Sequence, residues 1–140
     1  MNVLYTAEAV ATGDGRDGRT RTTDGKIDIA LSMPKEVGGS GEGSTPEQLF
    51  AAGYASCFHS ALRLVGQRAK ANVDDSAVGA KVDLCRDEAD GYQLALTLEV
   101  SLPHSPSHET LILVEKARQV CPSLKAVRGN IDVNINIAGD

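Results

Sequence analysis

The chain has 140 residues, enough for one domain over 1–140 that buries roughly 70% of its unfolded surface. A net charge of −5 lacks the basic footprint of a nucleic-acid or anionic-membrane partner, and 4% aromatics without Trp leave most of the core to Ala, Val, Leu and Ile. No window reaches about 18 uninterrupted apolar residues, and "MNVLYTAEAVAT" has no basic segment ahead of an apolar run; neither a membrane span nor a secretory signal is expected, and the protein is read as cytoplasmic.

The small and β-branched residues of "VLYTAEAVAT" predict a strand. In "GRTRTTDGKIDIALSM", Asp24-Gly25 between two strand-like runs signals a hairpin. "PKEVGGSGEGS" reads as a flexible connector, because its glycines oppose regular structure. A long helix follows to about Ala71. Thr45 can cap it, Pro46 suits its first position, and Thr45 to Gln48 has capping-box spacing.

The remaining elements show clear periodicity. Val78, Ala80, Val82 and Leu84 alternate on one face of a strand, and Tyr92, Leu94, Leu96, Leu98, Val100 and Leu102 on the next, with "DEADG" as the turn between them. "SPSHETLILVEKARQVC" predicts a helix from Ser105 or Ser107, with Leu111, Val114, Ala117 and Val120 as its apolar stripe. Pro122 can open a short second helix. The last strand alternates Ile131, Val133, Ile135 and Ile137 against Asp132, Asn134 and Asn136. This order defines an α+β fold with antiparallel pairing wherever links are short.

In the long helix, Leu49, Phe50, Tyr54, Ala55, Phe58, Leu62 and Val65 cover most of the circumference, the pattern of a buried helix. The small residues Ala51, Ala52, Gly53, Ala55 and Ser56 admit a close neighbour. We therefore expect packing against a second helix, its own copy in a two-fold dimer.

The cysteines are Cys57, Cys85 and Cys121, an odd and sparse set that argues against a structural disulfide framework in a cytoplasmic chain. Cys57 lies on the stripe of Phe50, Tyr54 and Ala61, where a thiol can simply pack. Burial would raise its pKa, so a reactive Cys57 needs a nearby cation. Arg63 and Arg68 lie too far along the helix, and His59 is on another face. The candidate cations are Arg16 and Arg19 of "GDGRDGRT". Glu47 lies about 15 Å along the helix axis from Cys57, so the two are expected to meet only across an antiparallel helix pair; as an acidic first-turn residue, Glu47 also suits the helix dipole. Cys121-Pro122 places a thiol at a helix junction. Cys85 has the wrong parity for the Leu84 face and reads as a bystander. Neither C-x-x-C spacing nor an i, i+4 helical His pair is present, so no metal site is expected.

Together, "YTAEAVATGDGRDGR", "STPEQLFAAGYASCF" and "VCPSLKAVRGNIDV" resemble the organic hydroperoxide resistance proteins of the OsmC-like superfamily. The likeness covers nearly the whole chain. It implies antiparallel sheets around a long buried central helix, in an intertwined homodimer. It also implies a thiol peroxidase acting on organic hydroperoxides, including those of fatty acids. No cofactor is bound; dihydrolipoamide or a lipoylated protein serves as external reductant. By resemblance Cys57 is the peroxidatic thiol, Cys121 the resolving thiol, Arg16 the activating cation and Glu47 the acid that positions it. Phe50, Tyr54 and Phe58 would form apolar substrate-binding walls. Arg16 heads the "GRDG" match, although the turn is one residue longer than is usual in the family. Ser123, Leu124 and Lys125 stand where the family usually has Tyr, Ser and Asn, and Arg118 where it has His. Other readings are the OsmC branch of the superfamily, a non-catalytic binder of lipid-like ligands, and a redox sensor.

Overall fold

The computed structural model describes residues 1–89 and 91–138; Asp90, within the expected "DEADG" turn, lies outside the described residues, as do Gly139 and Asp140. The chain divides into two compact units, Met1–Leu49 and Phe50–Asp140. The fold is α+β, with two three-stranded sheets and three α-helices among the described residues.

The first unit holds β1 (Ala9–Thr12), β2 (Arg19–Thr22) and β3 (Asp28–Ala30), all antiparallel in that order. The expected first strand is shorter than its sequence suggests: Val3, Leu4 and Tyr5 are exposed and outside any strand, because β2 offers pairing partners only from Ala9 onward. The β2–β3 hairpin turns where Asp24-Gly25 predicts. Asp24 accepts a hydrogen bond from the Thr22 hydroxyl and another from the Lys26 backbone N–H.

The glycine-rich stretch is a pinned loop, not a flexible connector. The N–H of Gly39 bonds the Pro34 carbonyl, that of Gly41 the Met33 carbonyl, and that of Gly43 the Ser32 hydroxyl. At Gly39 a Cβ would run into the Met33 backbone. Glycine is required there by close approach rather than by freedom of movement. The loop delivers Ser44 beside Leu31, whose parallel bridge ends the run just before the long helix.

That helix, α1 (Pro46–Arg68), starts with a reciprocal capping box: Gln48 N–H bonds Thr45 Oγ1 at 3.1 Å and Thr45 N–H bonds Gln48 Oε1 at 2.9 Å. It runs on into the second unit, where Tyr54, Phe58, Ala61, Leu62, Val65 and Gly66 are buried. On the other side Ala52, Gly53, Ser56 and Leu64 are exposed in the single chain.

In the second unit β4 (Ala77–Arg86), β5 (Tyr92–Ser101) and β6 (Val133–Ile137) form a sheet with β5 at its centre. The β4–β5 pair is antiparallel, as its short link requires. The β5–β6 pair is parallel, and its connection carries α2 (Ser107–Val120) and α3 (Pro122–Val127). Register aligns the apolar rows: Val82 opposes Leu96, which pairs with Val133, and Ala80 opposes Leu98, which pairs with Ile135. The central row of Leu96, Leu98 and Val100 is almost wholly buried with Phe58 and Leu62 in the core of this unit.

The α2 stripe differs from expectation. Val114 and Ala117 face the core, but Leu111 and Val120 are exposed, while Thr110 and Leu113 are buried. Positions 110, 113, 114 and 117 follow the i, i+3, i+4, i+7 spacing of one helix face. Thr110 tolerates burial because its hydroxyl bonds the Pro106 carbonyl at 3.2 Å.

Candidate active site

Cys57 and Cys121, 64 positions apart, come together in the second unit. The Cys121 thiol donates to the Cys57 sulfur across 3.4 Å, and both are free thiols. Cys57 sits half-buried on α1, packed against the core, whereas Cys121 is fully buried. Cys121 belongs to two helices at once. Its N–H bonds the Ala117 carbonyl and closes α2, while its own carbonyl accepts from Lys125 N–H and opens α3. Pro122 follows at the first position of α3, where a missing N–H costs nothing.

The two thiols are driven in opposite directions. Burial pushes the Cys57 pKa up, but hydrogen bonds from the Ser123 hydroxyl, the Ser123 backbone N–H and the Cys121 thiol outweigh it, and the net shift is downward. Burial raises the pKa of Cys121; the Leu124 amide opposes this, the neighbouring Cys57 sulfur reinforces it, and the net shift is upward. The half-buried member of the pair is thus the better thiolate and the fully buried member its donor.

Beside the cation that the sequence calls for, neutral neighbours in the first turn of α3 also favour the Cys57 thiolate. Ser123 is the residue that sequence reasoning missed. A serine directly after Cys-Pro at a helix start was the available signal, since its amide and hydroxyl are both free to point at a neighbouring anion.

The aromatic residues expected as walls differ in placement. Phe58 is fully buried in the core. Phe50 is partly buried and stacks on Tyr54, with ring centroids 4.7 Å apart. The Tyr54 hydroxyl donates to the Ser123 carbonyl at 2.7 Å, so Tyr54 holds the turn that supplies the thiolate's donors. Its phenol pKa is raised by burial and by the two nearby cysteine sulfurs, which keeps it a donor.

The charged pair lies in the first unit. Arg16, in the 3-10 turn Gly15–Asp17, grips Glu47 with both terminal nitrogens: Nη2 to Oε1 at 2.7 Å and Nη1 to Oε2 at 3.0 Å. Asp17 anchors this turn by accepting the Met33 N–H. The Arg16 hydrogen bonds hold the Glu47 carboxyl below its ordinary pKa despite the opposing effect of burial. Arg19 is engaged elsewhere, with its Nε 2.7 Å from Asp28. Glu47 therefore has its arginine partner within the same chain. Cys85 is exposed on β4, opposite Gln93. Among the described residues no three His, Cys, Asp or Glu side chains are grouped to hold a metal ion, and no helix is long and apolar enough to cross a membrane.

In this α+β chain a half-buried thiol stands 3.4 Å from a buried one, and this pair is the candidate reactive centre. The family model of OsmC-like proteins matches residues 39–136. The organic hydroperoxide resistance protein of Xanthomonas axonopodis pv. citri (strain 306) is 44% identical over 142 residues, covering 97% of this chain and 96% of that protein. Organic hydroperoxide resistance protein OhrA of Bacillus subtilis (strain 168) is 43% identical over 138 residues, covering 96% of each chain. A crystal structure of an organic hydroperoxide resistance protein from Elizabethkingia anophelis, with thiocyanate bound, matches with a TM-score of 0.93 at 40% identity and covers 100% of both chains. The chain belongs to the OsmC-like family, among its organic hydroperoxide resistance proteins.

Proposed function

We propose that the protein is a cysteine-based peroxidase that reduces organic hydroperoxides, including those of fatty acids, to alcohols. The observation that carries this reading is the contact between Cys57 and Cys121 with pKa values displaced in opposite directions. The Cys57 thiolate attacks one peroxide oxygen, the O–O bond breaks, and the alkoxide leaves as alcohol on taking a proton. Cys57 is then a sulfenic acid. The Cys121 sulfur attacks it, an S–S bond forms and water leaves, which protects Cys57 from further oxidation. An external dithiol, dihydrolipoamide or a lipoylated protein, returns two electrons and leaves as its own disulfide.

In this reading the homodimer brings the Arg16–Glu47 pair of one copy to the Cys57 of the other, where Arg16, positioned by Glu47, supplies positive charge for the thiolate and the departing alkoxide. Phe50 and Tyr54 offer the apolar surface that favours an organic peroxide, with Phe58 packed behind them. The working form is a homodimer, supported by the open small-residue side of α1 at Ala52, Gly53 and Ser56. The reducing cytoplasm is the setting that keeps both thiols available.

The test is addition of an equimolar amount of cumene hydroperoxide to reduced protein, followed by disulfide mapping under non-reducing conditions. A Cys57–Cys121 bond that dihydrolipoamide reopens is the expected result. Unchanged thiols would overturn the peroxidase reading, and a disulfide that forms with release of one equivalent of alcohol but is not reopened by dihydrolipoamide would favour a sensor.

A further inference from the structure

A second cavity in the Phe50–Asp140 unit has no part in this chemistry. It has a volume of about 210 Å³ and is lined by Arg118, Leu124, Arg128, Gly129, Ile131, Asp132 and Val133. None of Cys57, Cys121 or Tyr54 lines it. The last turn of α2 contributes Arg118, α3 contributes Leu124, and the chain from there into β6 supplies the rest.

Its polar chemistry is cationic and incompletely used. Two guanidinium groups and one carboxylate, Asp132, line the cavity, and among the described residues Arg128 forms no ion pair; its Nη2 donates to the Arg118 backbone carbonyl at 3.0 Å. The Arg118 Nε is buried without a hydrogen-bond acceptor. Glu115 approaches it at 3.4 Å, but that carboxylate is largely exposed and out of hydrogen-bonding alignment. With the Arg118 Nε facing Glu115, the Nη groups of the two arginines are the donors that an oxyanion in the cavity would engage.

The rest of the lining is apolar. Leu124, Ile131 and Val133 would be poor company for a bare inorganic anion and good company for a short hydrocarbon body. A cavity of about 150 Å³ holds benzene, so this one has room for a ring-sized group together with a carboxylate.

We propose that this cavity is a binding site for a small organic carboxylate, its oxygens on Arg118 and Arg128 and its carbon body against Leu124, Ile131 and Val133. The site stands apart from the peroxidase reading, and its test needs no turnover. Thermal denaturation of the reduced full-length protein is followed against sodium benzoate, inorganic phosphate and sodium chloride at matched ionic strength. Selective binding to the folded state raises the melting temperature in a saturable way. The expected result is a saturable rise with benzoate alone, its midpoint moved at least tenfold higher in Arg128→Gln and in Arg118→Gln. An equal rise with chloride, no rise at all, or a benzoate response unchanged in both variants overturns the proposal. Phosphate binding as well as benzoate overturns the assignment to an organic acid. Should the variants fold poorly, amide chemical-shift changes in the wild-type protein decide. Shifts centred on Leu124, Gly129 and Ile131 support the site, and shifts centred elsewhere overturn it.

Discussion

The thiol pair and the Arg16–Glu47 pair are both two-residue contacts joining distant parts of the sequence, but they rest on different physics. Cys57 and Cys121 meet in a desolvated setting, where a few neutral donors decide which sulfur ionises. Arg16 and Glu47 meet with the arginine side chain 42% exposed, so water screens much of their attraction. The comparison teaches that an uncharged serine beside a half-buried sulfur acts on its ionisation at close range, whereas a solvent-exposed salt bridge adds little to stability. Low dielectric amplifies the first and solvent mutes the second.

The largest effect expected is from Cys57→Ser, which should bring peroxide consumption to the background rate, as measured by loss of cumene hydroperoxide in the presence of dihydrolipoamide. Ser123→Ala comes next. Removing one donor to a thiolate costs about 1.5–3 kcal/mol, so the thiolate should form only at higher pH and the rate at neutral pH should fall about tenfold or more. Ultraviolet absorbance of the thiolate against pH reads the shift directly; an unchanged titration would break the claim that neutral donors favour the thiolate. Tyr54→Phe removes the bond to the Ser123 carbonyl but keeps the ring against Phe50. A loss of about 1 kcal/mol in denaturant unfolding is expected, with a smaller upward shift of the Cys57 titration.

Glu47→Gln should have the smallest effect on stability, below about 1 kcal/mol after allowance for solvent screening. Its pH dependence has a definite sign. The folded carboxyl titrates below its ordinary value, so the contribution is present above the ordinary carboxylate range and is lost as pH falls through the folded value. The variant should therefore lose part of the acid limb of the wild-type stability curve, as acid titrations followed by circular dichroism would show. If Glu47→Gln weakened the fold more than Tyr54→Phe, the contrast between the two regions would be reversed.

Local signals carried much of this architecture. The alternation in β4, β5 and β6, the Asp24-Gly25 turn and the Thr45–Gln48 box each depend on neighbours a few residues away, and each stands as read. The α2 stripe was misplaced because a threonine that bonds its own helix can be buried as readily as a leucine. The glycine-rich loop was misread for a related reason: composition does not reveal a neighbouring carbonyl that leaves no room for a Cβ. The candidate site divides the same way. Both thiols and the pairing of Arg16 with Glu47 stood out by resemblance, whereas the nearness of Ser123 to Cys57 depends on contacts that spacing along the chain does not encode.

Cys121 closes one helix and opens the next through its backbone, leaving only its side chain to the sulfur chemistry. The two sulfurs stand 3.4 Å apart while both helix-end hydrogen bonds are in place. The proposed disulfide would therefore form from a frame whose helix ends are already closed.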